Sequence, residues 1–349
     1  MSKPADAELA SFIARAEEEF AAAIASERLV EHNLRFAHVD VGLQIAGEAL
    51  AERLSAPLAP RVRPAGGAPH ARLSVWTWPG RRALPPMWSE SDVGPMGRVS
   101  FEGRYIAIHD LGTRAITLGD RERGVILHRV PPYEELPWWE RAAPLRGALF
   151  WALGGTGLHL VHGGAVGDRA RGGVLLGGPG GSGKTTTALA ALEAGLDYVA
   201  DDYLLLDAPG ARAWNIYGTA KLDADQLVRF PGLARDVTGI PPPGEKAHYD
   251  LARHRPQALV DSLELRAVVI PRVSGGASEL RPIGGAAALR ALAPSSVFQL
   301  PFDEGAVVGG LAQLIRRLPC FELAVGDDLT ELAATIDELL DRVCDTAVA

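Results

Sequence analysis

Residues 173–185 read Gly-Val-Leu-Leu-Gly-Gly-Pro-Gly-Gly-Ser-Gly-Lys-Thr, and this stretch is the strongest indicator of structure in the chain. From Gly178 to Thr185 it matches the phosphate-binding loop pattern G-x-x-x-x-G-K-[ST] at every fixed position. The apolar residues before the motif predict a short buried strand, and residues 186–194 predict a helix. Strand, glycine loop and helix in this order set backbone N–H groups and a positive helix end around an anion. The stretch therefore predicts an α/β domain that binds ATP or GTP.

Each position of the motif has a physical role in holding a triphosphate. Glycines let the backbone close around the phosphates without a Cβ clash. Lys184 supplies a positive charge to the β- and γ-phosphates, and the Thr185 hydroxyl suits Mg²⁺. We expect ATP with Mg²⁺ at this site, in contact with Gly178, Gly180, Gly181, Ser182, Gly183, Lys184, Thr185 and Thr186.

Composition limits the classes of protein to consider. The 349 residues are 47% hydrophobic and carry a formal net charge of −8, enough apolar material for one large or two ordinary domains. No Lys/Arg-rich run is present, which argues against a nucleic-acid partner. Residues 147–167 have no charge but are interrupted by glycines, so we interpret them as a buried helix and strand rather than a membrane span. With no signal-peptide pattern at the start, we expect a cytoplasmic protein without a membrane partner.

The chain is predicted to form two domains. Residues 1–137 combine a helix over 5–28, a strand over 34–45 and a series of short strands from 73 to 130 separated by glycine turns. This pattern predicts an N-terminal α+β domain with an antiparallel meander, which could be structural or could dock a substrate. Residues 138–349 begin with a helix over 138–153 and then change to strand, glycine loop, helix and strand, which predicts the P-loop domain.

Two carboxylates follow the next strand after the motif helix. Asp201 and Asp202 end the apolar run 198–200, at a point where a parallel sheet would bring them beside the glycine loop. One carboxylate there can hold Mg²⁺, and the other can accept a proton from an acceptor hydroxyl. The alternative is an ordinary turn after a strand. Upstream, the run 160–166 predicts a strand before the P-loop strand with His162 at its head, where it is either part of the site or a structural histidine.

Taken together, His162-Gly163, the P-loop and Val199-Ala200-Asp201-Asp202 resemble bacterial HPr kinase/phosphorylases and their uncharacterised relatives. The nucleotide domain of that family is similar to the one in phosphoenolpyruvate carboxykinases, and the resemblance covers residues 158–325. It implies a kinase in which Asp201 is the base, Asp202 supports the metal and His162 tunes the pair, with Lys184 on the phosphates. Some lasso-peptide pathway kinases, which phosphorylate the terminal serine of a precursor, look similar, and the family makes a homo-oligomer plausible.

The chain also departs from the family pattern. Where the kinase/phosphorylases carry Glu-x-Arg-Gly after the Asp pair, this sequence has Asn215-Ile216-Tyr217-Gly218. Both the acid and the arginine are missing, which weakens the case for phosphorylase activity and for HPr as the substrate. Four basic residues could instead contact a phosphate or the acceptor, or could be solvated surface residues: Lys221, Lys246, Arg253 and Arg272.

Three functions fit the sequence. The first is a Mg²⁺-ATP-dependent kinase that phosphorylates a hydroxyl, either a serine of a peptide or protein or a small metabolite. The second is a nucleotide-binding regulatory module with weak or no phosphotransfer, which the missing Glu and Arg favour. The third is an assembly protein that keeps the loop as a structural anion site. The completeness of the motif set favours the kinase.

Overall fold

The computed structural model describes residues 6–64, 66–78, 98–237, 241–299 and 304–345. Internal packing divides the chain into two units, residues 1–156 and 157–349. The segment 138–152, predicted to begin the second domain, lies in the first unit. Among the described residues, no helix combines the length and the apolar character that crossing a bilayer requires.

The first unit combines a sheet with four α-helices in its described part. Two short 3₁₀ segments, Ala56–Arg61 and Tyr133–Glu135, join these elements. The helices are α1 (Asp6–Ser26), α2 (Glu48–Ser55), α3 (Trp138–Ala142) and α4 (Arg146–Ala152). The strands are β1 (Leu29–Phe36), β2 (Val39–Ala46), β3 (Val62–Arg63), β4 (Ala71–Thr77), β5 (Arg98–Glu102), β6 (Tyr105–Asp110), β7 (Ala115–Asp120) and β8 (Val125–Val130).

The sheet of the first unit is mixed rather than wholly antiparallel. Its described strands follow the order β3-β1-β2-β4-β8-β7-β6-β5. The predicted antiparallel meander is confirmed for β5 to β8, but β4 pairs in parallel with both β2 and β8. Helix α1 covers one face with Leu9, Ile13, Ala16 and Phe20, whose spacing of three and four residues forms one helix side.

Two predictions for this unit were wrong in detail. Residues 34–45 are not one strand, because β1 and β2 form a hairpin that turns at Ala37, where φ is +53°. No glycine or proline marks that turn, so the apolar alternation continues across it. The predicted helix over 138–153 is broken into α3 and α4, because Pro144 has no N–H to continue the helical hydrogen bonding.

The second unit is an α/β unit built around a long central strand. Its helices are α5 (Lys184–Glu193), α6 (Ala224–Arg229), α7 (Pro231–Ala234), α8 (Leu251–His254), α9 (Gly285–Gln299), α10 (Glu304–Ile315) and α11 (Leu329–Asp345). Its strands are β9 (Leu158–His162), β10 (Gly164–Asp168), β11 (Gly172–Leu176), β12 (Asp197–Ala200), β13 (Tyr203–Asp207), β14 (Arg212–Trp214), β15 (Thr219–Leu222), β16 (Ala247–Asp250), β17 (Ser262–Val273), β18 (Glu279–Ile283) and β19 (Cys320–Val325).

The twelve-residue strand β17 organises the main sheet of this unit. It pairs in parallel with β11 and β19 and antiparallel with β14, within the strand order β12-β10-β11-β17-β14-β13-β9. All five residues of β11 are buried, because α5 and α11 pack their aliphatic side chains over this part of the sheet. A separate ribbon pairs β15 with β16. The predicted strand, glycine loop and helix thus correspond to β11, the loop and α5.

His128 in β8 gives the first unit a pH-dependent stability. The ring is buried and shares a 2.9 Å hydrogen bond with Thr117 through Nδ1. Burial lowers the pKa of His128 to about 4, with the Asp110 charge opposing the shift. A histidine that resists protonation in the folded state stabilises fully above its unfolded pKa of about 6.5, and this contribution is lost as the pH falls toward 4.

We expect His128→Gln to flatten the decline in unfolding free energy between pH 6.5 and 4. The difference from wild type should reach at most about 3 kcal/mol, at 1.36 kcal/mol per pKa unit. Urea unfolding of the full chain at several pH values measures it. His38→Gln, in the exposed turn between β1 and β2, is the control and should keep the wild-type slope. An unchanged slope in His128→Gln would mean that the buried ring is already charged.

Candidate functional site

The glycine loop lies between the carboxyl end of β11 and the first turn of α5. Gly181 and Gly183 have φ angles of +77° and +107°, a left-handed region that residues with a Cβ rarely adopt. A Cβ at Gly183 would also come within 3.0 Å of Val325 Cγ2. At Gly180 and Gly181 a Cβ would meet no described atom within 4 Å. The backbone therefore forms a cradle with an open mouth.

Lys184 lies inside this cradle with its ammonium turned onto the loop backbone. Lys184 is only 6% exposed. Its Nζ donates to the carbonyl oxygens of Gly178 at 2.7 Å and Pro179 at 3.0 Å. Burial lowers the pKa of Lys184 to about 8, although the charges of Asp202 and Asp201 oppose this. The neighbouring Ser182 Oγ is buried without a hydrogen-bond partner among the described residues. An anion in the cradle would satisfy both groups.

The Asp pair reaches the same edge of the sheet as the loop. Strand β12 pairs antiparallel with β10, and β10 pairs antiparallel with β11, so β12 and β11 run in the same direction. Asp201 and Asp202 follow β12 just as the glycine loop follows β11. Tight packing fixes this turn, because Gly163 N donates to Asp202 O at 2.9 Å. A Cβ at Gly164 would lie 2.9 Å from Ala200 O, so glycine is required there.

Asp202 is held by two partners. His162 ends β9 and does not head the following strand as predicted. Its Nε2 lies 2.9 Å from Asp202 Oδ1, and Lys221 Nζ contacts Oδ2. Burial alone would raise the pKa of Asp202, but Lys221 and His162 outweigh it and hold that pKa well below its usual range. Burial lowers the pKa of His162 despite its hydrogen bond to Asp202, so a neutral ring with its proton on Nε2 fits the geometry. Asp202 is therefore a fixed anion.

Lys221 lies in β15, and the pairing of β15 with β16 positions it at this site. Lys221 lies opposite His248 in the ribbon and is only 7% exposed. Its Nζ lies 5.2 Å from the centre of the Tyr203 ring, a cation–π contact in addition to the ion pair with Asp202. Lys221 is thus not a solvated surface lysine, which was one of the two interpretations of the sequence.

Asp201 has the opposite environment to its neighbour. The residue is 3% exposed, and its Oδ1 accepts a 2.8 Å hydrogen bond from the Tyr198 hydroxyl. Its Oδ2 is buried and has no hydrogen-bond partner among the described residues. Burial and then the charge of Asp202 raise the pKa of Asp201. Two adjacent carboxyls thus have pKa values shifted in opposite directions, which is the pattern of a site that separates a proton acceptor from a fixed charge.

Sequence reasoning missed two buried residues beside the pair. Tyr198 is one. The sequence feature that could have indicated it is a tyrosine hydroxyl within the apolar run that leads to the Asp pair. Asn215 is the other, at the position where the family pattern has an acid. Its Nδ2 donates to the carbonyl oxygens of Val199 and Tyr217, both at 2.7 Å. Asn215 therefore links β12 to the segment that leads into β15. Because Asp202 follows β12 and Lys221 lies in β15, this link also helps to hold the two charged residues together.

The remaining predicted residues lie at different distances from this centre. Thr186 is buried and Thr185 half-buried in the first turn of α5. Lys246, half-buried just before β16, lies close enough for its charge to act on Lys184 and Asp201. Arg253 is exposed on α8. Arg272, with a side chain 73% exposed, pairs with Glu322 at 3.2 Å at the end of β17.

A magnesium site would draw on few protein ligands here. In the described ranges, no three His, Cys, Asp or Glu side chains cluster in a way that could hold a metal ion. The oxygen donors beside the loop include the Thr185 hydroxyl and the Asp202 carboxylate, which are the two predicted magnesium ligands. That donor set fits Mg²⁺, which is commonly bound by one or two protein oxygens together with waters and the phosphates of its substrate.

Comparisons with known proteins do not assign this chain to a family. No family model matches it, and no curated protein does. Among the solved structures that match is the Hpr(Ser) kinase/phosphatase from Coxiella burnetii, at 13% identity and a TM-score of 0.30, over 55% of this chain and 99% of that one. A TM-score this low carries no argument about activity. The protein has an α/β fold with mixed sheets, and its glycine loop lies beside a pair of carboxylates.

Lys221→Met tests whether the ion pair holds the site together. Removing the ammonium leaves Asp202 charged with His162 as its remaining partner, so we expect a loss of about 3 kcal/mol in unfolding free energy, the lower end for a broken buried pair. The double variant Lys221→Met/Asp202→Asn should be more stable than Lys221→Met alone, because it no longer contains the unpaired charge. Urea unfolding of the three proteins provides the comparison. An equal or greater loss in the double variant would show that an unpaired Asp202 charge does not cause the loss in Lys221→Met.

Proposed function

We propose that this protein is a Mg²⁺-ATP-dependent kinase that transfers the γ-phosphate to a hydroxyl, either a serine of a peptide or protein or a hydroxyl of a small metabolite. The observation that carries the proposal is the pairing of two unlike carboxylates beside a glycine loop. Asp202 is a charge fixed by His162 and Lys221, whereas Asp201 keeps an unpartnered oxygen. Phosphoryl transfer to a hydroxyl needs both functions next to a triphosphate site.

The loop supplies the triphosphate site. Lys184 Nζ, now on the carbonyl oxygens of Gly178 and Pro179, would turn to the β- and γ-phosphates, where its positive charge is stabilised. Backbone N–H groups of the loop and the first turn of α5 would bind the remaining phosphate oxygens. Thr185 and Asp202 would hold Mg²⁺, which neutralises charge on the phosphates when bound. The charge of Lys246, close to Lys184 and Asp201, suits the γ-phosphate.

Asp201 then acts on the acceptor. The acceptor oxygen attacks the γ-phosphorus as its proton moves to Asp201 Oδ2, and the bond from that phosphorus to the leaving oxygen of ADP breaks. One O–P bond forms, one breaks, and the proton remains on the carboxyl until solvent takes it. Asp202 does not suit this role, because both of its oxygens are already held by cationic or N–H donors. An incoming hydroxyl would also give the buried Oδ2 the partner it lacks.

A nucleotide-binding regulatory module is the second candidate function. It is favoured by Asn215, whose amide is committed to two backbone carbonyls where the family pattern places an acid and an arginine follows. In this function the loop binds the nucleotide, and turnover is weak or absent. The kinase and the module differ in one measurable property, which is the formation of ADP.

Two substitutions test the kinase proposal. Asp201→Asn should lower phosphotransfer by about 10²- to 10⁴-fold, the usual contribution of a general base, and leave nucleotide affinity near wild type. Lys184→Ala should weaken ATP binding by at least about tenfold, or 1.4 kcal/mol, because a charge-assisted contact is lost. ADP release from Mg²⁺-ATP and equilibrium ATP binding measure the two effects.

Asp197→Asn is the matched control for the base. It places the same substitution at the other end of β12, where Asp197 pairs with Arg169, and it should keep wild-type turnover. Mass spectrometry of peptides that copurify then searches for the acceptor. Tight ATP binding without ADP release in the wild-type protein would favour the regulatory module, and full activity in Asp201→Asn would refute the assignment of the base.

A further inference from the structure

Tyr198 buries its hydroxyl group in an otherwise apolar core. The residue is fully buried within the core that α5 and α11 form over the sheet. Its backbone is fixed on both sides, since its N–H donates to Ala258 O at 2.7 Å and its carbonyl accepts from Val260 N at 3.0 Å. Burying a phenol in an apolar core is unfavourable unless its hydroxyl has a partner. The partner is Asp201 Oδ1 at 2.8 Å.

The contact depends on the turn at the Asp pair. In a continuous strand, residues three positions apart point to opposite faces. Here the chain turns after Ala200, so the carboxyl group of Asp201 folds back over the ring three residues earlier. The phenol therefore contacts one chosen oxygen of the carboxylate and leaves the other oxygen without a partner.

In the described part of the chain, the phenol is the one hydrogen-bond donor to the carboxylate of Asp201. The charges of Lys221 and Lys246 lower the pKa of Asp201, but Lys221 Nζ contacts Asp202 instead. A neutral donor fixes its orientation without neutralising its charge.

We propose that Tyr198 is a positioning residue that fixes Oδ1 of Asp201 and thereby directs Oδ2 to the acceptor hydroxyl. The inference rests on the proposed function, because it presupposes that Asp201 is the proton acceptor. It adds to that function the identity of the accepting oxygen and the group that selects it. Since a misplaced base slows the chemical step without altering the triphosphate site, the effect should fall on turnover and not on ATP binding.

The test is Tyr198→Phe, which removes the hydroxyl and keeps the ring. With Mg²⁺-ATP as the probe and water in place of the acceptor hydroxyl, we expect kcat to fall by about 10- to 100-fold with the KM for ATP unchanged. Tyr249→Phe is the matched control. Tyr249 is also fully buried in the same core, but it lies on β16, and its ring packs 5.6 Å from the His254 ring. It should keep wild-type kcat.

A double-variant comparison separates positioning from a structural role. In the Asp201→Asn background, Tyr198→Phe should cause no further loss, because the group through which it acts is gone. A further loss of similar size, an equal loss in Tyr249→Phe, or a change in KM in place of kcat would overturn the inference. So would full activity in Tyr198→Phe. If the wild-type protein releases no ADP, it is the proposed function that fails.

A second measurement needs no Tyr198 variant. The ¹³Cζ resonance of Tyr198 in labelled protein reports donation by its hydroxyl, and it should shift in Asp201→Asn, where an amide oxygen replaces the carboxylate. A resonance that does not respond to Asp201→Asn would show that the phenol does not bind Asp201, and this would overturn the inference independently of turnover.

Discussion

The ion pair between Lys221 and Asp202, completed by His162, is the interaction on which the site depends. It joins three separate parts of the second unit, since His162 ends β9, Asp202 precedes β13 and Lys221 lies in the β15–β16 ribbon. A carboxylate held in this way stays deprotonated and restrains its own backbone. Because Asp201 is the adjacent residue, the same restraint fixes where the second carboxylate lies and what it contacts.

The two carboxylates show how one turn creates two chemical environments. Asp202 contacts an ammonium group and an imidazole N–H, whereas Asp201 accepts a hydrogen bond from a phenol. Their difference arises from the direction of each side chain, since the residues are neighbours in sequence. The glycine loop adds the third part, a lysine whose ammonium group bonds to two backbone carbonyl oxygens of the loop. Each part is incomplete by itself.

The sequence predicted the parts of the site that are local. The glycine loop and the Asp pair are continuous motifs, and a strand before each of them follows from a few apolar residues. The partners of Asp202 and Asp201 were not predictable in this way. Lys221 reaches Asp202 only through the pairing of β15 with β16, and Tyr198 reaches Asp201 only through the turn after Ala200. The hairpin at Ala37 was missed because its turn lacks glycine and proline. The parallel pairing of β4 with β2 and β8 was missed because the residue pattern of a short strand does not indicate the direction of its neighbours.

The long strand β17 has a consequence for how the protein folds. Gly173 of β11 pairs with Leu265 of β17. This parallel pairing therefore closes a long loop of the chain, and the site residues from Lys184 to Lys221 all lie within that loop. Pairing across such a distance requires a large loss of chain entropy before any contact compensates for it, which slows folding. The cradle and the Asp pair consequently acquire their final geometry late on the folding pathway, after the local β10–β11 hairpin. During synthesis the chain must therefore be extended past β17 before the sheet beside the glycine loop can be completed.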